Sequence, residues 1–287
     1  MVQLGILLAL ASALVANVGL LCKYRGAIAS PDVELSHPLR SAVSLFRSRW
    51  WTIGFLVAFA AWTLHVAALS VAPLSLVETT LSGGLLLLAW LAERWFGVRV
   101  GTREWVGLLL CAVGLILLAV TSVGSGGSSS RYSVEAMASF EAASVAVGVA
   151  LLLSGSTGTP GRASGPVLGI AAGLLLGVAN VAVKALTATV PGDVFSIISP
   201  WTAMGLLAGA GAFLALARGM QTGGAIPVIT LSSVCANLAS VAGGIAVFGD
   251  PVGGDPLAIA ARSAAFAAVI AAAIVLPAPS RAAVARA

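Results

Sequence analysis

The chain has 287 residues, of which 59% are apolar and only 9% charged, and its mean hydropathy is +1.06. A soluble domain carries about 25% charged residues to solvate its surface, which excludes an ordinary cytosolic or secreted globule. The apolar residues run along the whole chain, which also excludes a soluble enzyme on a single anchor. The composition is that of an all-α integral membrane protein, and the formal charge of +5 informs through its positions rather than its sum.

A bilayer core about 30 Å thick needs about 20 apolar residues in a helix. Taken in chain order, the windows that meet this are 3–22, 51–71, 73–93, 104–122, 134–154, 166–188, 194–217, 223–248 and 257–277. Turn chemistry separates them: Ala72-Pro73, the Gly/Ser run 124–130, the segment 158–166, Pro191-Gly192, 221–224 and 249–256. The runs are continuous and too long for a β-barrel, whose strands alternate in polarity over about ten residues. The first window is expected to be a span rather than a secretory leader, because no basic residue precedes it and Lys23, Tyr24 and Arg25 follow it. Between the first two windows, Leu39, Ala42, Val43 and Phe46 recur at helical spacing, with Arg40 and Arg47 on other faces. That pattern fits either a short amphipathic helix on the membrane surface or an unstructured basic loop.

With nine spans and the N-terminus outside, twelve of the fifteen basic residues fall on the inner side: Lys23, Arg25, Arg40, Arg47, Arg49, Arg94, Arg99, Arg103, Arg162, Arg218, Arg281 and Arg286. Arg131 alone falls outside, so the excess of inner cations predicts an external N-terminus and a cytoplasmic C-terminus. Trp50, Trp51, Trp95 and Trp105 fall at the inner interface. The three cysteines, Cys22, Cys111 and Cys235, form no CxxC or Cys/His pair, which argues against a disulfide framework or structural zinc.

An internal repeat is visible. Gly5-Ile6-Leu7-Leu8 leading to Val15-Ala16-Asn17-Val18 returns as Gly169-Ile170-Ala171-Ala172 leading to Val178-Ala179-Asn180-Val181. Trp51-Thr52 and Trp201-Thr202 follow in register, then Ala72–Val77 and Gly224–Ile229, and both next spans end in an acidic turn, at Glu93 and Asp250. Spans 1–4 thus recur as spans 6–9, and the odd fifth span makes the second copy enter from the opposite side. The expected plan is an inverted 4+1+4 repeat, as in secondary transporters with a midplane site. It divides the chain into 1–123, a linker with the fifth span at 124–165, a second repeat at 166–277 and a cytoplasmic tail at 278–287. Gly169, Gly173 and Gly177, and Gly205 with Gly209, allow close helix approach.

Four segments carry a resemblance to a known family: Lys23-Tyr24-Arg25-Gly26; Ala68-Leu69-Ser70-Val71-Ala72-Pro73-Leu74-Ser75-Leu76-Val77-Glu78; Ala92-Glu93-Arg94-Trp95-Phe96-Gly97; and Glu104-Trp105-Val106-Gly107. In these the chain resembles the drug/metabolite transporter (EamA-like) superfamily and, within it, the branch of NIPA-like magnesium transporters. The resemblance covers nearly the whole chain and implies a nine-span carrier of a divalent cation such as magnesium. The first span holds Asn17 and no carboxylate, unlike the small multidrug branch of that superfamily.

Ionisable residues inside spans are costly and mark functional candidates. They are His65, Glu78, Glu141, Lys184 and Arg262. At 1.5 Å per residue, His65 and Glu78 both lie about 9–10 Å below the outer surface on adjacent spans, and the other three also fall in the outer half. Such a set predicts an outward-facing polar cavity, with Thr79 beside Glu78, Asn17 and Asn180 at equivalent repeat positions, and Asn237 with Thr230, Ser232, Ser233 and Ser240 on span 8. Lys184 and Arg262 fit equally a snorkelling role at the outer headgroups. Glu78 is the expected metal-binding carboxylate. Asp193, Asp250, Asp255 and Glu135 make the outer mouth acidic.

The expected function is a secondary transporter of a small solute or ion. The alternatives are a small polar metabolite, a lipid-linked sugar, or a non-transporting membrane scaffold. No HExxH, GxSxG or phosphate loop occurs, so no enzyme and no cofactor are expected. The expected partners are the bilayer, the substrate and a second copy of the chain in a homodimer, with no nucleic acid.

Overall fold

The computed structural model describes residues 2–34, 36–71, 74–97, 100–122, 132–157, 164–189, 198–249 and 256–275. All of their regular structure is helical, with no strand among the described residues. In chain order the helices are α1 (Val2–Ile28), α2 (Pro38–Arg47), α3 (Arg49–Val71), α4 (Leu74–Phe96), α5 (Thr102–Ser122), α6 (Val134–Thr157), α7 (Ser164–Thr189), α8 (Pro200–Gly223), α9 (Ala225–Phe248) and α10 (Pro256–Val275). Five of them, α1, α6, α7, α8 and α9, are long and apolar enough over their described residues to cross a bilayer.

Two ends depart from the hydropathy windows. Helix α1 runs on through Lys23-Tyr24-Arg25-Gly26 to Ile28, because its cations find aromatic faces: Lys23 Nζ sits 5.6 Å from the Phe55 ring centre and the Arg25 guanidinium 4.6 Å from that of Trp50. Helix α8 is displaced towards the C-terminus, starting at Pro200 and taking in Arg218, Gln221 and Thr222. Ser199 caps its start by accepting from Thr202 N at 3.2 Å, with Pro200 in the first turn. Gly224, at φ 80°, ends it and turns the chain into α9. The surface segment resolves in favour of a helix: α2 is amphipathic, with Ser41 and Leu45 buried and Leu39, Val43 and Phe46 exposed.

Two helices organise the packing. Helix α1 lies antiparallel along α3, with Ser12 Oγ donating to Ala61 O at 2.8 Å near one end and Gly26 against Trp51 near the other. A side chain at Gly26 would collide with the Trp51 backbone, so a glycine is required there. Helix α7 lies antiparallel along α8, from Gly165 against Gly223 to Ala182 against Gly205, and parallel to α9. There the glycine stripe has a defined partner: Gly169 meets Val228, Gly173 meets Cys235, and Gly177 meets Ala239. Of the second glycine pair, Gly205 meets Ala182, whereas Gly209 has open space beside it.

Helix α6 covers the other side of α7, with Gly148 on Leu175 and Gly155 on Leu168, and α5 packs between α4 and α10. The largest core cluster joins α1, α3, α4, α5, α8 and α9 through Leu21, Trp51, Leu88, Leu108, Met220 and Ile226.

Direction follows from these contacts. The C-terminal end of α1, the C-terminal end of α8 and the start of α7 share one end of the bundle, through Ala27 beside Gln221 and Gly165 beside Gly223. Helix α1 therefore runs into that end and α7 runs out of it. Lys23, Arg25, Arg47, Arg49 and Arg218 gather there.

Candidate functional site

Each central helix carries one asparagine that reaches across its packing seam. Asn17 of α1 is buried, and its Nδ2 donates to Gly84 O of α4 at 2.6 Å. Gly84 permits that approach, since a Cβ there would sit 3.4 Å from Asn17 Nδ2 and 3.0 Å from Ala13 Cβ. Asn180 of α7, which the sequence pattern aligned with Asn17, donates through Nδ2 to Ser240 Oγ of α9 at 3.1 Å, and it is exposed. Inside a helix bundle such bonds hold two backbones in register and leave the second amide atom available to a ligand.

Of the two carboxylates predicted inside spans, Glu141 is the one whose side chain is described. It lies on the stripe Met137, Glu141, Val145, Gly148 that α6 presents inward, and it is only 2% exposed. No donor among the described residues reaches its Oε1. A buried carboxylate oxygen without a donor is costly, and a cation or proton is what would relieve it. Thr230 of α9 is fully buried, and its Oγ1 has no described partner either; Ser232, two residues on and on nearly the opposite side of the helix, is 3% exposed.

His65 is half-buried on α3, and Asn237 is exposed on α9. Glu141 and His65 stand on helices of different packing groups, α6 with α7 and α3 with α1. Glu78 and Thr79 lie on α4, Lys184 on α7 and Arg262 on α10, but their side chains fall outside the described residues. So do Arg131, Asp193, Asp250 and Asp255, whereas Glu135, in the first turn of α6, is exposed. Among the described residues no three His, Cys, Asp or Glu side chains group as a metal site.

At the basic end the structure adds residues that hydropathy reading passed over. Gln221 of α8 accepts from Val33 N at 3.0 Å through Oε1 and donates through Nε2 to Ala27 O at 2.8 Å and Pro31 O at 3.1 Å. Beside it, Arg218 pairs with Asp32 at 3.1 Å. Ala27 O belongs to the last turn of α1, whose carbonyls lack helical partners. The signal was slight: Gln221 is one of two glutamines in the chain.

Over 268 residues, 88% of this chain and 75% of the relative, the sequence is 24% identical to a protein of Arabidopsis thaliana named "Probable magnesium transporter NIPA9". The chain is related to a NIPA-like transporter. That likeness agrees with the resemblance read from the motifs, and with the apolar helices it makes this chain a multi-pass membrane protein. No family model matches the sequence, and no solved structure matches it.

Proposed function

We propose that the chain is a secondary transporter working by alternating access, whose substrate is magnesium or a similar divalent cation. Its nine spans are α1, α3, α4 and α5, then α6, then α7 to α10, in an inverted 4+1+4 repeat over residues 1–123, 124–165 and 166–277. The observation that carries this reading is the matched pair of seams: Asn17 bonds α1 to α4 as Asn180 bonds α7 to α9. Two further facts support it. Helices α1 and α7 are each antiparallel to the next long helix, and they run in opposite directions through the bundle. Cations gathered at one end support a cytoplasmic placing for that end, with the N-terminus outside and the tail inside.

Magnesium prefers oxygen ligands and keeps several waters, so a carboxylate and a few neutral oxygens suffice. Glu78 with Thr79 is the proposed primary ligand, and Glu141 the second carboxylate. Asn17, Asn180, Asn237 and His65 complete the polar lining, and Lys184 and Arg262 set its charge balance. Those two cations inside spans favour a second reading, a polar metabolite bearing both charge signs. The latch of Gln221 and Arg218 closes the cytoplasmic end and must open for release. Proteoliposome uptake of magnesium and of metabolites by the wild type and Glu78→Gln tests the proposal. Failure of both substrate classes to move removes it.

A further inference from the structure

Helix α2 divides into three sectors. Ser41 and Leu45 are buried; Leu39, Val43 and Phe46, spaced by four and three residues, are 82%, 58% and 43% exposed; and Arg40, Ser44 and Arg47 recur at the same spacing on a third face. An exposed apolar sector beside a basic one is the pattern of a helix lying in a membrane interface, its apolar side in the acyl boundary and its cations at headgroup level.

The basic sector does not simply face water. Ser44 and Arg47 form one wall of a cavity of about 480 Å³, and Arg49 and Trp50 of α3 with Ser30 and Pro31 beyond α1 form the rest. The Arg25 guanidinium stacks on Trp50 and braces that wall. Asp32, which follows Pro31 of the lining, is engaged by Arg218, and among the described residues, Glu34 included, no carboxylate forms an ion pair with Arg47 or Arg49. Two guanidiniums with no ion-pair partner among the described residues, in a partly enclosed space, match a tetrahedral oxyanion, which arginine binds in bidentate fashion; the Ser30 and Ser44 hydroxyls already donate to Gly26 O and Ser41 O.

We propose that this cavity binds a phosphate group, carried by an anionic phospholipid or by a soluble phosphate. Basic pockets between helices at a membrane surface recognise anionic headgroups in this way, and the apolar sector of α2 sets the cavity at headgroup depth. The inference is independent of the transported substrate and of which side of the membrane this end faces.

The test uses the full chain purified in detergent, measuring retained phosphatidylglycerol against phosphatidylcholine by native mass spectrometry. Wild type retains phosphatidylglycerol preferentially. Arg47→Gln with Arg49→Gln lowers that retention by at least about tenfold, from about 1 kcal/mol per cation at a membrane surface. Arg94→Gln with Arg103→Gln, which removes equal charge away from the cavity, leaves retention intact. Arg47→Lys with Arg49→Lys keeps the charge but loses the bidentate geometry, so it also lowers retention, by less than the glutamine pair; it carries the test should the glutamine pair fail to fold, and unchanged retention in it overturns the proposal. Inorganic phosphate that displaces the lipid in proportion to its own binding assigns the site to soluble phosphate; lipid that resists displacement assigns it to the headgroup. Equal retention of both lipids without phosphate binding, or equal losses in the two glutamine pairs, overturns the proposal.

Discussion

Gln221 accepts a hydrogen bond from the backbone of Val33 at 3.0 Å across 188 residues of sequence, and its amide nitrogen ties the same segment at Ala27 and Pro31. One side chain thus closes the end of α1 against the end of α8. Gln221→Ala leaves Val33 N and Ala27 O without these partners in a half-buried setting, which costs about 1–3 kcal/mol and lowers the Tm of the purified protein. Arg218→Ala removes a pair that is 27% and 79% exposed on its two sides, and an exposed pair is worth less than about 1 kcal/mol. Thermal unfolding in detergent therefore ranks Gln221→Ala well below Arg218→Ala, and the reverse order contradicts the latch.

The glycine seams predict opposite outcomes for one chemical change. Gly177→Ala drives a methyl into Ala239 of α9, and Gly173→Ala drives one into Cys235 and the Ser232 carbonyl; overpacking of this kind costs about 1–3 kcal/mol. Gly209→Ala meets open space, and its better helix propensity makes it neutral or stabilising by up to about 1 kcal/mol. Unfolding midpoints of the three variants decide the matter.

Much of this architecture was legible in the sequence, and the exceptions share a cause. The period of Leu39, Val43 and Phe46 offered a surface helix beside an unstructured loop, and the Gly/Ala stripe of α7 allowed a close seam; the structure takes the helix and the seam, both being local patterns. The continuation of α1 past Lys23 and the displacement of α8 were not legible, since hydropathy windows stop at charge while the structure pairs those charges with Phe55, Trp50 and Asp32 from elsewhere in the chain. Gln221 read as a loop break for the same reason: its partners are remote. Asn17 and Asn180 were legible only as a repeated pair, and their bonds to α4 and α9 could not be read from spacing.

Those two asparagines give an asymmetric prediction. Asn17 is buried against Gly84 O, whereas Asn180 is exposed. Asn17→Ala should cost about 0.6–1.7 kcal/mol, the range for interhelical hydrogen bonds in membranes, and Asn180→Ala less. If both seams belong to the transport pathway, both variants also lower uptake, even where stability is kept.

Glu141→Gln separates a functional carboxylate from a structural one. The substitution keeps the shape, supplies a donor and removes a buried charge whose Oε1 has no described partner, so the Tm holds or rises. Charged hydrogen-bonding contacts are worth about 1.5–3 kcal/mol, so loss of a cation ligand lowers magnesium uptake by about tenfold or more. Unchanged uptake assigns Glu141 to packing.

The most direct measurement is initial magnesium influx into proteoliposomes holding equal amounts of correctly folded wild type and Glu78→Gln. The account predicts saturable influx for the wild type and loss of most of it in the variant, with folding verified by matched unfolding curves. Absence of influx in the wild type, or equal influx in the two proteins, contradicts it.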